Sequence, residues 1–321
     1  MTPPDRKATS RAVIRVVAAG TCWGLAAVMA KVAFDRGVPP VRMAEARVVV
    51  ALVVLAGILA GWRRDLLVPP RESWAALVAF GLCVAGVNAA YYIAIDRLPV
   101  GVAVSIQYTA PVLLLALSAI LAAGNRRRRG LGPGRLAWVA AALTLIGAIL
   151  VSRAYRGMAS VDGRGLVAAV ASALLFAGYL LTASRAGRRG ALPATVLFWG
   201  FVVGTVAWSV AAPWWSWPVS KLDQAPVALS ILGVGLVGTL LPFFLAVGAV
   251  RVLSPATAGI AATVEPPAAA LFAWIFLGQH LAPVQVLGGV LVLGGVALAY
   301  LVPSGGADGL GREALAVEPA V

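Results

Sequence analysis

Glu265 is a carboxylate in the middle of a long apolar stretch, and two prolines, Pro266 and Pro267, follow it directly. An ionised group at the centre of a hydrocarbon layer costs ~2.5–3.5 kcal/mol on insertion scales, so such a residue faces a cavity or a partner. Two readings are open: a group that binds a cation or takes up a proton, or a neutral carboxyl hydrogen-bonded between helices. The prolines remove backbone donors, so the helix is expected to bend or open there, as a gate or as a structural kink. Pro111 repeats the pattern, with Gln107 and Tyr108 just before it. Asn88 and Tyr91 are three apart, so one helical face presents an amide and a phenol together. With Gln107, Tyr108 and Glu265 they compose a polar pocket; the alternative for Asn88 is an interhelical hydrogen bond worth ~0.6 kcal/mol. Arg47 and Lys31 bring positive charge to the same region. Arg47 suits a two-point grip on a carboxylate, whereas Lys31 is read as snorkelling to the interface or as the partner of Glu45. Trp23 either walls the pocket or packs between helices. A zwitterionic solute needs both signs of charge in one cavity, and these residues supply both.

The elements that carry them are about ten apolar stretches, each near 20 residues. The spans read as roughly 13–34, 41–61, 74–96, 99–122, 136–153, 165–185, 192–213, 226–248, 254–277 and 283–302. At 1.5 Å per residue each crosses a ~30 Å hydrocarbon core. Only 12% of the 321 residues are charged and 61% are hydrophobic, where soluble domains carry about 25% charged residues. The expected class is therefore an all-α integral membrane protein with ten transmembrane helices. A cleaved leader at the basic N-terminus is disfavoured, because the first apolar run exceeds the ~7–15 residues of a signal core.

A net charge of +14 would suggest nucleic acid in a soluble protein. Here the arginines gather in short connections, so they report topology and not a nucleic-acid partner. Arg63, Arg64 and Arg71, Arg126 to Arg129 with Arg135, and Arg185, Arg188 and Arg189 fall on the side of the N-terminus. Both termini are thus expected in the cytoplasm, with residues 1–12 as a short leading segment and 303–321 as a disordered tail. Trp62, Trp74, Trp214, Trp215 and Trp217 read as an interfacial belt. Cys22, Cys83 and the single His280 offer no disulfide framework or metal cluster, so no metal or cofactor is expected. No phosphate-cradling Gly-x-x-x-x-Gly-Lys-Ser/Thr loop occurs, so ATP hydrolysis is not an energy source of the chain itself. A lipid-modifying membrane enzyme would need a nucleophile with a base, which His280 beside Gln279 does not provide.

At one constant offset Gly24 falls on Gly178, Lys31 on Arg185, Pro39 on Pro193, Arg97 on Arg251 and Gly124 on Gly278. The arginine-rich connection after span four is answered after span nine only by Gln279 and His280, so charge reverses where an odd-numbered repeat must reverse its direction. Two inverted-topology repeats of five helices follow, 13–153 and 154–302, enclosing a cleft near the midplane. Gly20/Gly24, Gly57/Gly61 and Gly200/Gly204 are small-residue spacings read as helix packing within the bundle; a homodimer is compatible with them but unsupported.

Several motifs together resemble the drug/metabolite transporter superfamily and, within it, the ten-helix EamA type with two EamA domains. They are Cys22-Trp23-Gly24 with Lys31, Arg47, Asn88 to Tyr92, Gln107 to Pro111, Gly238 to Phe244, Thr263 to Pro266 and Phe276-Leu277-Gly278. The pattern leans to the threonine and homoserine exporter branch. The resemblance implies a secondary transporter of the bacterial inner membrane that exports a small metabolite such as an amino acid by alternating access, driven by protons or by the substrate gradient; efflux of cationic drugs is the alternative. Where the family carries an acidic residue after the glycine ending spans four and nine, this chain has Asn125 and Gln279, so a role for that carboxylate is not carried over.

Overall fold

The computed structural model describes residues 6–124, 133–156, 162–213, 217 and 221–301. Asn125, Arg126 to Arg129, Trp214, Trp215 and the tail 303–321 lie outside the described residues. Among the described residues ten helical segments are long and apolar enough to cross a membrane. A lipid-exposed backbone must satisfy its own polar groups, and the helix does so within each span.

In chain order the helices are α1 (Arg6–Phe34), α2 (Pro40–Trp62), α3 (Trp74–Arg97), α4 (Val100–Gln107), α5 (Ala110–Gly124), α6 (Arg135–Ser152), α7 (Gly163–Arg188), α8 (Pro193–Ala211), α9 (Ala225–Gly235), α10 (Leu241–Ala249), α11 (Pro255–Ala262), α12 (Glu265–Leu277) and α13 (Pro283–Leu301). Proline opens α2, α8 and α11 at the position where its missing N–H has no intrahelical acceptor to serve. Ser254 caps α11 by accepting the Thr257 N–H at 3.1 Å. Asp162 caps α7 by accepting the Gly165 N–H at 2.9 Å, and these backbone donors hold its carboxyl below the ordinary aspartate range.

The fourth span is two helices, α4 and α5, broken at Tyr108 and Thr109, and the ninth is α11 and α12, broken at Thr263 and Val264. The breaks just before Pro111 and Pro266 are those expected. The eighth span holds an interruption that apolar length alone does not signal, a π turn at Leu236–Leu240 between α9 and α10.

The helices meet in pairs related by exchange of the two halves. Span one packs on span eight as span three packs on span six. Span one meets span nine as span six meets span four, while α6 with α13 and α2 with α8 join a span to its own counterpart, and α5 with α11 joins span four to span nine. Two inverted five-helix repeats therefore face each other about a pseudo-twofold axis. Small residues set the distance at these crossings. A Cβ on Gly288 would lie 2.7 Å from the Gly147 carbonyl oxygen, and one on Gly200 would lie 2.4 Å from the Phe80 ring. Gly24 likewise abuts Ala268 and Ala269. Gly57 and Gly61 correct the expectation: nothing lies within 4 Å of a Cβ at either, so that pair packs no helix of this bundle.

Candidate functional site

Between the halves lies a cavity of about 500 Å³. Its lining contains every polar-pathway candidate from the sequence: Glu265, Asn88, Tyr91, Gln107, Tyr108, Trp23, Arg47 and Lys31. Pro111, Pro266 and Pro267 are not on the wall; they stand behind it, at the helix breaks. The lining extends to Phe34, Pro40 and Val100, beside the connections 35–39 and 98–99, so the cavity reaches toward the face that carries them. Toward the opposite face the bundle is filled by buried Val16, Leu77, Phe80, Leu197 and Phe201.

Glu265 is the first residue of α12, followed by Pro266 and Pro267, which carry no N–H, so its carboxyl group takes its hydrogen bond from a side chain. The break in span four delivers Tyr108 to the same depth, and its hydroxyl donates to Glu265 Oε2 at 2.6 Å. Gln107 Oε1 accepts from the Ser172 hydroxyl of α7 at 2.9 Å. Asn88 Nδ2 donates to the Val84 carbonyl at 2.8 Å, a bond within its own helix, and the residue lines the cavity beside Tyr91.

Arg47 is held by span eight. Proline at 242 has no N–H to give to the carbonyl four residues back, which is that of Gly238. The π turn exposes this carbonyl, and Arg47 Nη2 donates to it at 2.5 Å while Nε donates to Thr239 Oγ1 at 2.7 Å. The Thr239 hydroxyl in turn donates to the Val234 carbonyl at 2.9 Å. Arg47 also exerts an electrostatic influence on Glu265. A carboxyl group and a guanidinium thus border one chamber.

Lys31 does not pair with Glu45. It reaches Asp35 one turn on in its own helix at 2.7 Å, in an exposed ion pair, the i,i+4 geometry that a helix surface favours. Glu45 is buried, and its Oε2 accepts from Arg42 Nη1 at 2.9 Å and from Trp217 Nε1 at 2.7 Å. Trp217 is thereby tied to a buried carboxylate, while Trp62 is 84% exposed as a belt residue would be. Trp74 packs edge-on against Trp199, with centroids 4.5 Å apart.

Aromatic rings close the cavity floor, a feature that sequence reasoning missed. Trp23 meets Phe243 at 5.5 Å, Tyr108 meets Phe176 at 6.0 Å, and Tyr179 meets Phe176 at 5.1 Å and Phe243 at 5.7 Å. Thr239 and Tyr179 were detectable as polar side chains inside apolar spans. Phe176 and Phe243 carried no signal that distinguishes a floor from ordinary core. Among the described residues no group of three or more metal-ligating side chains comes together.

Comparison with known proteins agrees with this architecture. The threonine/homoserine exporter RhtA of Escherichia coli (strain K12) is 28% identical over 246 residues, 75% of each chain. The protein of the same name from Salmonella typhimurium (strain LT2) matches equally, and an uncharacterized transporter of Archaeoglobus fulgidus is 26% identical over 212 residues, 66% of this chain and 71% of its own. A crystal structure superposes with a TM-score of 0.73 over 94% of this chain and 99% of its own at 19% identity, a likeness of fold. The profile of the EamA-like transporter family matches residues 10–153 and 163–301. The chain is a multi-pass membrane transporter and belongs to the EamA-like transporter family of the drug/metabolite transporter superfamily.

Proposed function

We propose that the chain is a secondary exporter of a small amino acid, working by alternating access between the two repeats. The observation that carries this reading is the presence of both Glu265 and Arg47 in the lining of one chamber. The carboxylate takes the substrate ammonium, and the guanidinium, with Lys31 nearer the mouth, attracts its carboxylate. The names of the RhtA relatives, which describe threonine and homoserine export, point the same way. With both termini in the cytoplasm, as the placement of arginine argues, the cavity opens outward and the aromatic floor is the closed inner gate.

The ring-lined floor favours a second reading, efflux of an organic cation, because aromatic faces attract cations. Counterflow in reconstituted vesicles separates the two. Exchange of labelled threonine, inhibited by homoserine but not by ethidium, supports the first reading; exchange of ethidium itself with no exchange of threonine supports the second. Glu265→Gln should lower exchange at least tenfold under either, and unchanged exchange in that variant would remove the carboxylate from the site.

A further inference from the structure

We propose that Tyr179 is a specificity-determining residue of this cavity, its hydroxyl reading a neutral hydroxyl on the side chain of the transported solute. The proposal rests on the amino-acid reading above. Tyr179 is 2% exposed and its ring forms part of the cavity lining. Among the described residues its hydroxyl oxygen is buried with no hydrogen-bond partner. Buried hydroxyls are ordinarily paired, and an unpaired one carries a desolvation penalty that nothing in the folded chain returns. Edge contacts with Phe80 at 6.2 Å and Phe176 at 5.1 Å, and a tilted one with Phe243 at 5.7 Å, hold the ring in place. The ring lines the floor of the chamber, and its unpaired hydroxyl lies behind that surface, where a solute meets it as the floor gives way.

The neighbours select what pairs with it. Tyr179 lies within electrostatic influence of Glu265. An anionic group is repelled there, and an ammonium is better served by the carboxylate itself. A phenol both donates and accepts, so its complement is a neutral group that does the same. A hydroxyl fits that description and a methyl group does not. A site with a buried polar group left unpaired discriminates strongly against the analogue that lacks the matching group.

The test is counterflow of labelled L-threonine in proteoliposomes, with L-threonine, L-homoserine and L-2-aminobutyrate as competitors, beside thermal unfolding of the purified protein. In wild type the hydroxylated solutes should compete at least tenfold better than 2-aminobutyrate. Tyr179→Phe should bring that preference within about twofold while the unfolding temperature holds or rises, because an unsatisfied hydroxyl has been removed. Tyr108→Phe should weaken all three alike, since that hydroxyl already serves Glu265. A preference kept in Tyr179→Phe, or lost in Tyr108→Phe instead, overturns the proposal, as does a lowered unfolding temperature with the preference intact. Wild-type protein that exchanges none of the three overturns the amino-acid reading and the proposal together.

Discussion

Arg47 illustrates how one side chain acts in two places. Its guanidinium bridges the Gly238 carbonyl and the Thr239 hydroxyl, and it borders the chamber that contains Glu265. A lysine keeps the charge and loses the planar fork. Arg47→Lys is expected to lower stability by about 1.5–3 kcal/mol, the range for hydrogen bonds to charged groups, and to slow exchange at least tenfold. Chemical denaturation in detergent and vesicle counterflow read the two effects separately. Tyr108→Phe keeps the edge contact of the ring with Phe176 and removes the donor to Glu265 Oε2. It should cost about tenfold in apparent affinity with little change in unfolding temperature. At this scale the sequence was legible for polar types and silent on their partners. Glu265, Arg47, Asn88 and Tyr108 stand out because each is expensive in hydrocarbon. The mistaken pairing of Lys31 with Glu45 arose because ion pairing was judged from chain proximity. The folded α2 turns Glu45 toward Arg42 and Trp217, and Lys31 finds Asp35 on its own helix.

The span that changes register is the eighth. Its π turn inserts one extra residue, and with Pro242 it leaves the Gly238 carbonyl to Arg47. Pro242→Ala supplies an N–H that competes for that carbonyl. The variant should unfold at a higher temperature and transport more slowly, because span eight is then held as a continuous helix; faster transport would contradict a gating role for the turn. Helix crossings give a second element-scale prediction. Gly288→Ala drives a methyl toward the Gly147 carbonyl oxygen at 2.7 Å and should cost about 1–3 kcal/mol through forced separation of α6 from α13. Gly57→Ala meets open space and should be neutral or gain up to about 1 kcal/mol from helix propensity. Span limits were readable to within a few residues because apolar length decides them. The helix α1 begins earlier than expected, at Arg6, because Lys7 and Arg11 continue the helix beyond the apolar stretch. The π turn was unreadable, since glycine and proline in a membrane span are equally consistent with a kink, a close crossing or a break.

For the molecule as a whole, the cavity extends toward one face, and among the described residues the bundle is filled toward the other. In a background with Cys22 and Cys83 replaced by serine, Phe34→Cys and Val100→Cys should react from outside with a membrane-impermeant thiol reagent. Leu77→Cys, in the filled half, should resist it from both sides unless substrate is added. Labelling of Leu77→Cys without substrate would show that the floor is not a closed gate.

The primary sequence by itself determined that this is a ten-span membrane protein built as two related halves, and it pointed to the family. Hydrocarbon thickness and the need to satisfy backbone groups act on each span separately, so composition and length suffice. It also named the side chains too polar for lipid. Only the tertiary structure decided which of them meet. Tyr108 and Glu265 are 157 residues apart, Arg47 and Thr239 are 192 apart, and the aromatic floor draws rings from both halves. Those contacts depend on how closely glycine-bearing helices approach and on where proline frees a carbonyl, and neither distance nor orientation is written in a local stretch of chain.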